Sequence, residues 1–278
     1  MKQLEGRAIV ARGLALAGLI VLVSACSTTT RQPNEVGLYP SWLIAVAEPA
    51  APAIGMAISA VQWRHGRLQY SAGALAEVRT RMRPLDVLLF SNKHRLSGHT
   101  GAGMFGHSAV YLGSERELKA MGLWNNPAIV PYHDAIREGR SIIESAQAHG
   151  AQLSPVDHLV DTDRLVVLRP HLGSERRKHE AIVKLFGLVG TPFDHHYRLD
   201  EQEHVYCTEI ISIGITGLNL PRRSSYGREI ILPDDIARSA VTGTGRLRLV
   251  AYLRADRHSW GFASASDLAK DIAATQPR

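Results

Sequence analysis

Cys207, His107 and Glu144 are the side chains whose types and settings could together do nucleophilic chemistry. The chain holds only two cysteines, Cys26 and Cys207. A cysteine attacks as its thiolate, so it needs a lowered pKa, which a helix N-terminus and a neighbouring imidazolium both supply. Cys207 stands in Val205-Tyr206-Cys207-Thr208-Glu209-Ile210-Ile211, where a polar loop turns into an apolar, helix-like run. The base such a thiol needs is a histidine whose tautomer is fixed by a third polar group. His107 opens a short apolar run and Glu144 closes another, so both sit on strand-like elements that could be neighbours. The residue types alone leave a plainer reading open. Free cysteine is among the most buried residues, a strand-end histidine can be a satisfied core residue, and Glu144 could face solvent. His99 and His133 compete for supporting roles.

The other cysteine belongs to an export signal. Lys2, Arg7 and Arg12 precede an uncharged, mainly apolar stretch from Gly13 to Val23, and Leu22-Val23-Ser24-Ala25-Cys26 reads as a bacterial lipoprotein processing site. The apolar run is shorter than the roughly 20 residues a membrane span needs, so residues 1–25 are expected to be a signal peptide and Cys26 the lipid-bearing residue. Ser27 rather than Asp follows, which by resemblance to lipoprotein sorting signals implies an outer membrane, with the protein facing the periplasm. With Cys26 so used, Cys207 is left unpaired outside the cytoplasm, where a thiol kept without a role is exposed to oxidation. Without residues 1–25 the chain keeps 29 basic and 25 acidic side chains, a net charge of +4. That mild excess has no polybasic run beyond Arg176-Arg177-Lys178 and no zinc-finger or helix-turn-helix spacing, so no nucleic-acid partner is expected.

Around the chemistry, the sequence predicts strands over 86–90, 107–113, 141–145, 165–169 and 246–253 from short apolar runs bounded by turn residues. Ala57 to Tyr70 reads as a strand pair. A helix is predicted after the N-cap Ser174, with Ile182, Leu185, Phe186 and Val189 on one face and Gly190-Thr191-Pro192 as its stop. A second helix is predicted over 208–215. Residues 26–55, rich in Thr, Pro and Ala, read as a lipidated tether, 56–255 as one α+β domain with its core at about 80–220, and 256–278 as a C-terminal tail.

Four elements in this order resemble one family. Pro84-Leu85-Asp86-Val87-Leu88-Leu89-Phe90, His107 with Tyr111-Leu112-Gly113, Ile143-Glu144-Ser145 and Tyr206-Cys207-Thr208-Glu209 are similar to the circularly permuted branch of the NlpC-type papain-like superfamily. That branch includes the YiiX-like proteins, and lecithin-retinol acyltransferases are relatives. Its histidine strand precedes its cysteine helix, as here. Thr191-Pro192-Phe193-Asp194-His195-His196-Tyr197 also resembles the segment before its nucleophile. The chain departs at Leu85, where the family usually has Gly, and at Thr208, where it often has Ser. The resemblance implies a papain-like α+β fold of permuted topology, with an antiparallel sheet packed against helices. It implies Cys207 as nucleophile, His107 as base and acid, Glu144 as the orienting residue, and the Cys207 N–H, with Tyr206 a weaker candidate, for the oxyanion.

Thirteen histidines invite a metal reading, but Asp194, His195, His196 and His204 lack the helical i, i+4 spacing of zinc ligands. No Gly-x-Ser-x-Gly elbow occurs either, so neither a metal, a cofactor nor a serine nucleophile is expected. The expected activity is hydrolysis of an amide through a thioester on Cys207. Its substrate is either a peptidoglycan peptide or a lipid-like acyl amide, the second favoured slightly by the resemblance. The contrasting function is a non-catalytic envelope lipoprotein that uses the same shell to bind lipid or peptide.

Overall fold

Two-sided burial explains the run Val87-Leu88-Leu89-Phe90. In the computed structural model, which describes residues 39–275 apart from 92, 100–102 and 200–202, this strand lies near the middle of a seven-stranded sheet. In chain order the elements are helices α1 (Ser41–Ala47), α2 (Ala51–Ala60) and α3 (Ala74–Arg81), strands β1 (Val87–Phe90) and β2 (His107–Tyr111), helices α4 (Glu115–Ala120) and α5 (His133–Arg137). There follow β3 (Arg140–Ala146), β4 (Gly150–Pro155), β5 (Arg164–Pro170), α6 (Glu175–Gly187), α7 (Cys207–Gly214), β6 (Arg223–Ser225) and β7 (Arg228–Ile230). The chain closes with α8 (Pro233–Thr242), β8 (Leu247–Ala255), β9 (Trp260–Phe262) and α9 (Ala265–Ala274). The sheet order is β4-β3-β2-β1-β5-β8-β9 and every neighbouring pair is antiparallel, while β6 and β7 form a separate hairpin.

Alternate residues serve opposite faces. Val87, Leu89, Val110, Ile143 and Val166 pack under Ile182, Leu185, Phe186, Ile210 and Ile211 of α6 and α7. Leu88, Phe90, Ala109, Ile142 and Val167 pack under Ala74 and Val78 of α3 and the 156–160 turn. With both faces covered, the strands need no polar alternation, which is why they read as continuous apolar runs. Helices on both sides of one antiparallel sheet make the fold α+β.

Leu85 takes a φ of +75°, the left-handed region that favours glycine. Its side chain is buried in the core and its N–H donates to the Tyr111 carbonyl at 2.7 Å. Leucine is thus held in a backbone conformation that glycine adopts freely. Burial offsets the roughly 1–2 kcal/mol of backbone strain. Asp86 holds the turn below it, accepting from Arg83 N–H at 2.8 Å and from the Arg169 guanidinium at 2.7 and 2.6 Å.

Three expectations are corrected. The described part of the expected 26–55 tether is regular rather than linker-like: α1, a 3-10 turn over Glu48–Ala50 and α2 make a nearly continuous helical segment. Ala57–Tyr70 holds no strand pair, because α2 runs on to Ala60 and Arg67–Tyr70 is a 3-10 turn. The expected tail from 256 is ordered: β9 adds to the sheet edge, and α9 buries Leu268 and Ile272 in the main core. Its start carries a capping box in which Ser264 and Asp267 serve each other's backbone N–H. Cys26 and the signal segment lie outside the described residues.

Candidate active site

The register of β2 against β3 places two of the three expected residues. Ala109 pairs with Glu144, so Glu144 and His107, two positions from Ala109, project from the same face. Glu144 Oε2 lies 2.6 Å from His107 Nε2. A carboxylate only accepts, so Nε2 carries the proton and Nδ1 is left to face Cys207. Ser154 on β4 donates to Glu144 Oε1, which fixes the carboxylate from its other side. Phe90 lies against the imidazole, its ring centroid 5.8 Å away.

The third residue arrives from the opposite side. Ser174 and the apolar face of α6 set that helix against α7, and α7 packs on β2 and β3. Its first residue is Cys207, which lines the same cavity wall as His107 and feels the charge of its imidazole. The loop before it is pinned: Ser145 Oγ donates to the Val205 carbonyl at 2.7 Å, and Ala151 N–H to the Thr191 carbonyl at 2.8 Å. Thr208 Oγ1 donates to the Ile231 carbonyl at 2.8 Å, so threonine does the tying at this departure from the family pattern. Across the cleft, Asp234 accepts the N–H groups of Met104 and Phe105 at 2.9 and 2.7 Å, and a Cβ on Gly103 would collide with that carboxylate.

Charge follows geometry. Burial pushes the Cys207 thiol up, but the His107 imidazole overcomes this, with a smaller contribution from the Ser108 segment, and the net effect is a lowered pKa. Burial alone would lower His107, yet hydrogen bonds and charge from Cys207 and Glu144 raise it to about 10. Glu144 resists protonation, since the His107 hydrogen bond and charge, with Ser154, outweigh its burial. The arrangement stabilises a thiolate–imidazolium pair. His107 and Glu144 keep side-chain exposures of 21% and 15%, so the pair is open to an incoming group.

Cys207, His107, Glu144 and Tyr206 all line one cavity of about 760 Å³. Tyr206 stands apart in one respect, because its hydroxyl already accepts the Ile231 N–H at 3.1 Å. Tyr197 is a side chain that sequence reasoning missed. The residue is 40% exposed and opens on the cavity, and its phenol is pushed up by desolvation of the hydroxyl end and by the Cys207 charge. The Gln147 side chain donates to that phenol, while Gln147 Oε1 is buried in the cavity wall without a partner. Only the place of Tyr197 in the segment before Cys207 could have flagged it. The rival histidines are elsewhere. His133 stacks on Trp124 at 3.7 Å and His99 binds the Lys93 carbonyl at 3.0 Å. Asp194 ties down its own loop, accepting the N–H groups of His196 and Arg198. Among the described residues no three His, Cys, Asp or Glu side chains are grouped to hold a metal.

A family model described as the permuted papain-like amidase enzyme, YaeF/YiiX, C92 family matches residues 82–259, a span that holds β1 through β8 and every cavity residue from Phe90 onward. No curated protein and no solved structure matches the chain. The chain belongs to this family of permuted papain-like amidases.

Proposed function

We propose that this permuted papain-like amidase cleaves acyl-amide bonds of lipid-like molecules through a Cys207–His107–Glu144 triad while held at the envelope by lipid on Cys26. The observation that carries the reading is one imidazole between a carboxylate and a lowered-pKa sulfur, at the wall of a large cavity. Cys207 Sγ attacks the carbonyl carbon, and its electron pair forms a carbon–sulfur bond as the carbonyl oxygen takes negative charge, the thioester appearing when that charge reforms the carbonyl and expels nitrogen. The Cys207 backbone N–H at the start of α7 faces that charge, and the Tyr197 phenol is the nearby hydroxyl able to donate. His107 then gives its proton to the departing nitrogen, the C–N bond breaks, and an amine leaves. Water, losing a proton to His107, attacks the thioester; a carboxylic acid departs and sulfur regains its charge. Glu144 keeps the imidazole oriented and favours its charged form throughout.

An acyl chain suits the cavity because Ile44, Ala47, Ile54, Phe105, Ile142 and Phe193 contribute to its wall. Incubation with a long-chain N-acyl amide is expected to load Cys207 with the acyl mass, seen by intact mass spectrometry, and to release free acid. Equal turnover of a peptidoglycan tetrapeptide, with no acyl adduct from the lipid amide, would move the substrate to the cell wall. Absence of any adduct with either, in folded protein, would favour a binding lipoprotein. Lipid attachment is read by the mass of the mature N-terminus, which should begin at acylated Cys26 and partition with outer membranes.

A further inference from the structure

The helical segment over the cleft is apolar toward solvent as well as toward the cavity. Every exposed position from 42 to 61 is apolar, with Trp42 and Val46 52% and 74% exposed and Ile54, Met56 and Val61 beside them. The polar residues Glu48 and Ser59 turn the other way and line the cavity. Glu48 accepts from Arg228 and lies 3.4 Å from Arg198 Nη2. A helix apolar on its outer face is stable when something apolar covers that face.

Trp42–Ala60 is 19 residues long and, by length and composition, apolar enough to cross a membrane. Crossing would strip Glu48 from its arginines and the inner face from the cavity, so the segment is suited to lie along a surface. Exposed Trp42 opens the segment and exposed Trp63, its ring near His99, stands three residues past its end, as tryptophans mark the lipid–water boundary. No charge interrupts the outer face, which excludes an ionic partner. Cys26, read as the lipid site, lies 15 positions before Ser41, within about 55 Å of fully extended chain. We propose that the outer face of residues 42–61 lies in the interfacial layer of a phospholipid bilayer, a second attachment independent of lipid on Cys26, which sets the roof of the Cys207 cleft against the membrane.

The full chain in vesicles of brominated phosphatidylcholine tests this. Residues 1–41 contain no tryptophan, so the leader cannot contribute, and Trp42 and Trp63 are two of four. Their contact with bromine should remove up to about half of the emission relative to plain phosphatidylcholine. The W42F/W63F double variant should lose that difference while remaining folded by circular dichroism. Equal emission in brominated and plain vesicles overturns the proposal, as does quenching that persists in the double variant. Equal emission together with efficient disulfide dimers through V46C would assign the face to a second copy of the chain.

Discussion

The floor and the roof of the cleft are built on opposite terms. On the floor, β1, β2 and β3 bury both faces, and His107, Glu144 and Ser154 are bonded to one another within the chain. In the roof, none of residues 42–60 is fully buried and apolar side chains face solvent as well as the cleft, the segment being held mainly by Glu48 and by contact with the cleft. The contrast teaches that the chemistry is specified by internal packing, whereas, on the proposal above, access to it is specified by the surface the chain meets. Changes on the floor should therefore alter rate constants with little dependence on membranes. Those in the roof should alter access with little effect on the fold.

The largest effect is expected on the floor. Cys207→Ala should eliminate the acyl adduct and lower turnover by roughly 10⁴-fold or more, with an unchanged circular dichroism spectrum; adduct formation by this variant would end the proposed mechanism. His107→Ala comes next: iodoacetamide labelling of Cys207 at neutral pH should slow at least about tenfold, and its pH midpoint should rise to that of an ordinary thiol. A rate equal to wild type would mean that the imidazole does not activate the sulfur. Glu144→Gln should reduce turnover by roughly 10²-fold. Its pH profile carries the sign. The ion pair exists above the lowered thiol pKa and below the raised histidine pKa of about 10, so kcat/KM should rise through the first and fall through the second. Without the carboxylate the imidazolium loses a stabilising charge, and the falling limb should move to lower pH. Glu48→Gln in the roof is the smallest change. It should leave the melting temperature as it is and quicken Cys207 labelling by less than about tenfold, since exposed ion pairs hold little; a large drop in melting temperature would place the roof among the packed elements.

The same contrast explains what could be read from sequence. The floor is legible because a strand buried on both faces leaves a four- or five-residue apolar run, and because His107 and Glu144 stand at the ends of such runs. Ser154 and Tyr197 are not, since their roles arise from cross-strand pairing of β3 with β4 and from a loop folded back on the cleft. The roof misleads for a simple reason. Pro49 and Pro52 in an Ala-rich stretch read as linker, yet each occupies the first turn of a helical element, where proline is favoured. The C-terminal helix was signalled by Ser264 with Asp267 three positions on, a capping pattern hidden by low-complexity surroundings.

The pairing of Ala109 with Glu144 has a consequence for folding. Sliding β2 by a single position would turn His107 to the other side of the sheet and bring Ser108 to the carboxylate. Such a molecule would keep its secondary structure and most of its buried area, but its thiol would be inert. Sulfur reactivity is thus a quality test on strand alignment, able to count correctly assembled molecules in a refolded population that circular dichroism would score as uniform.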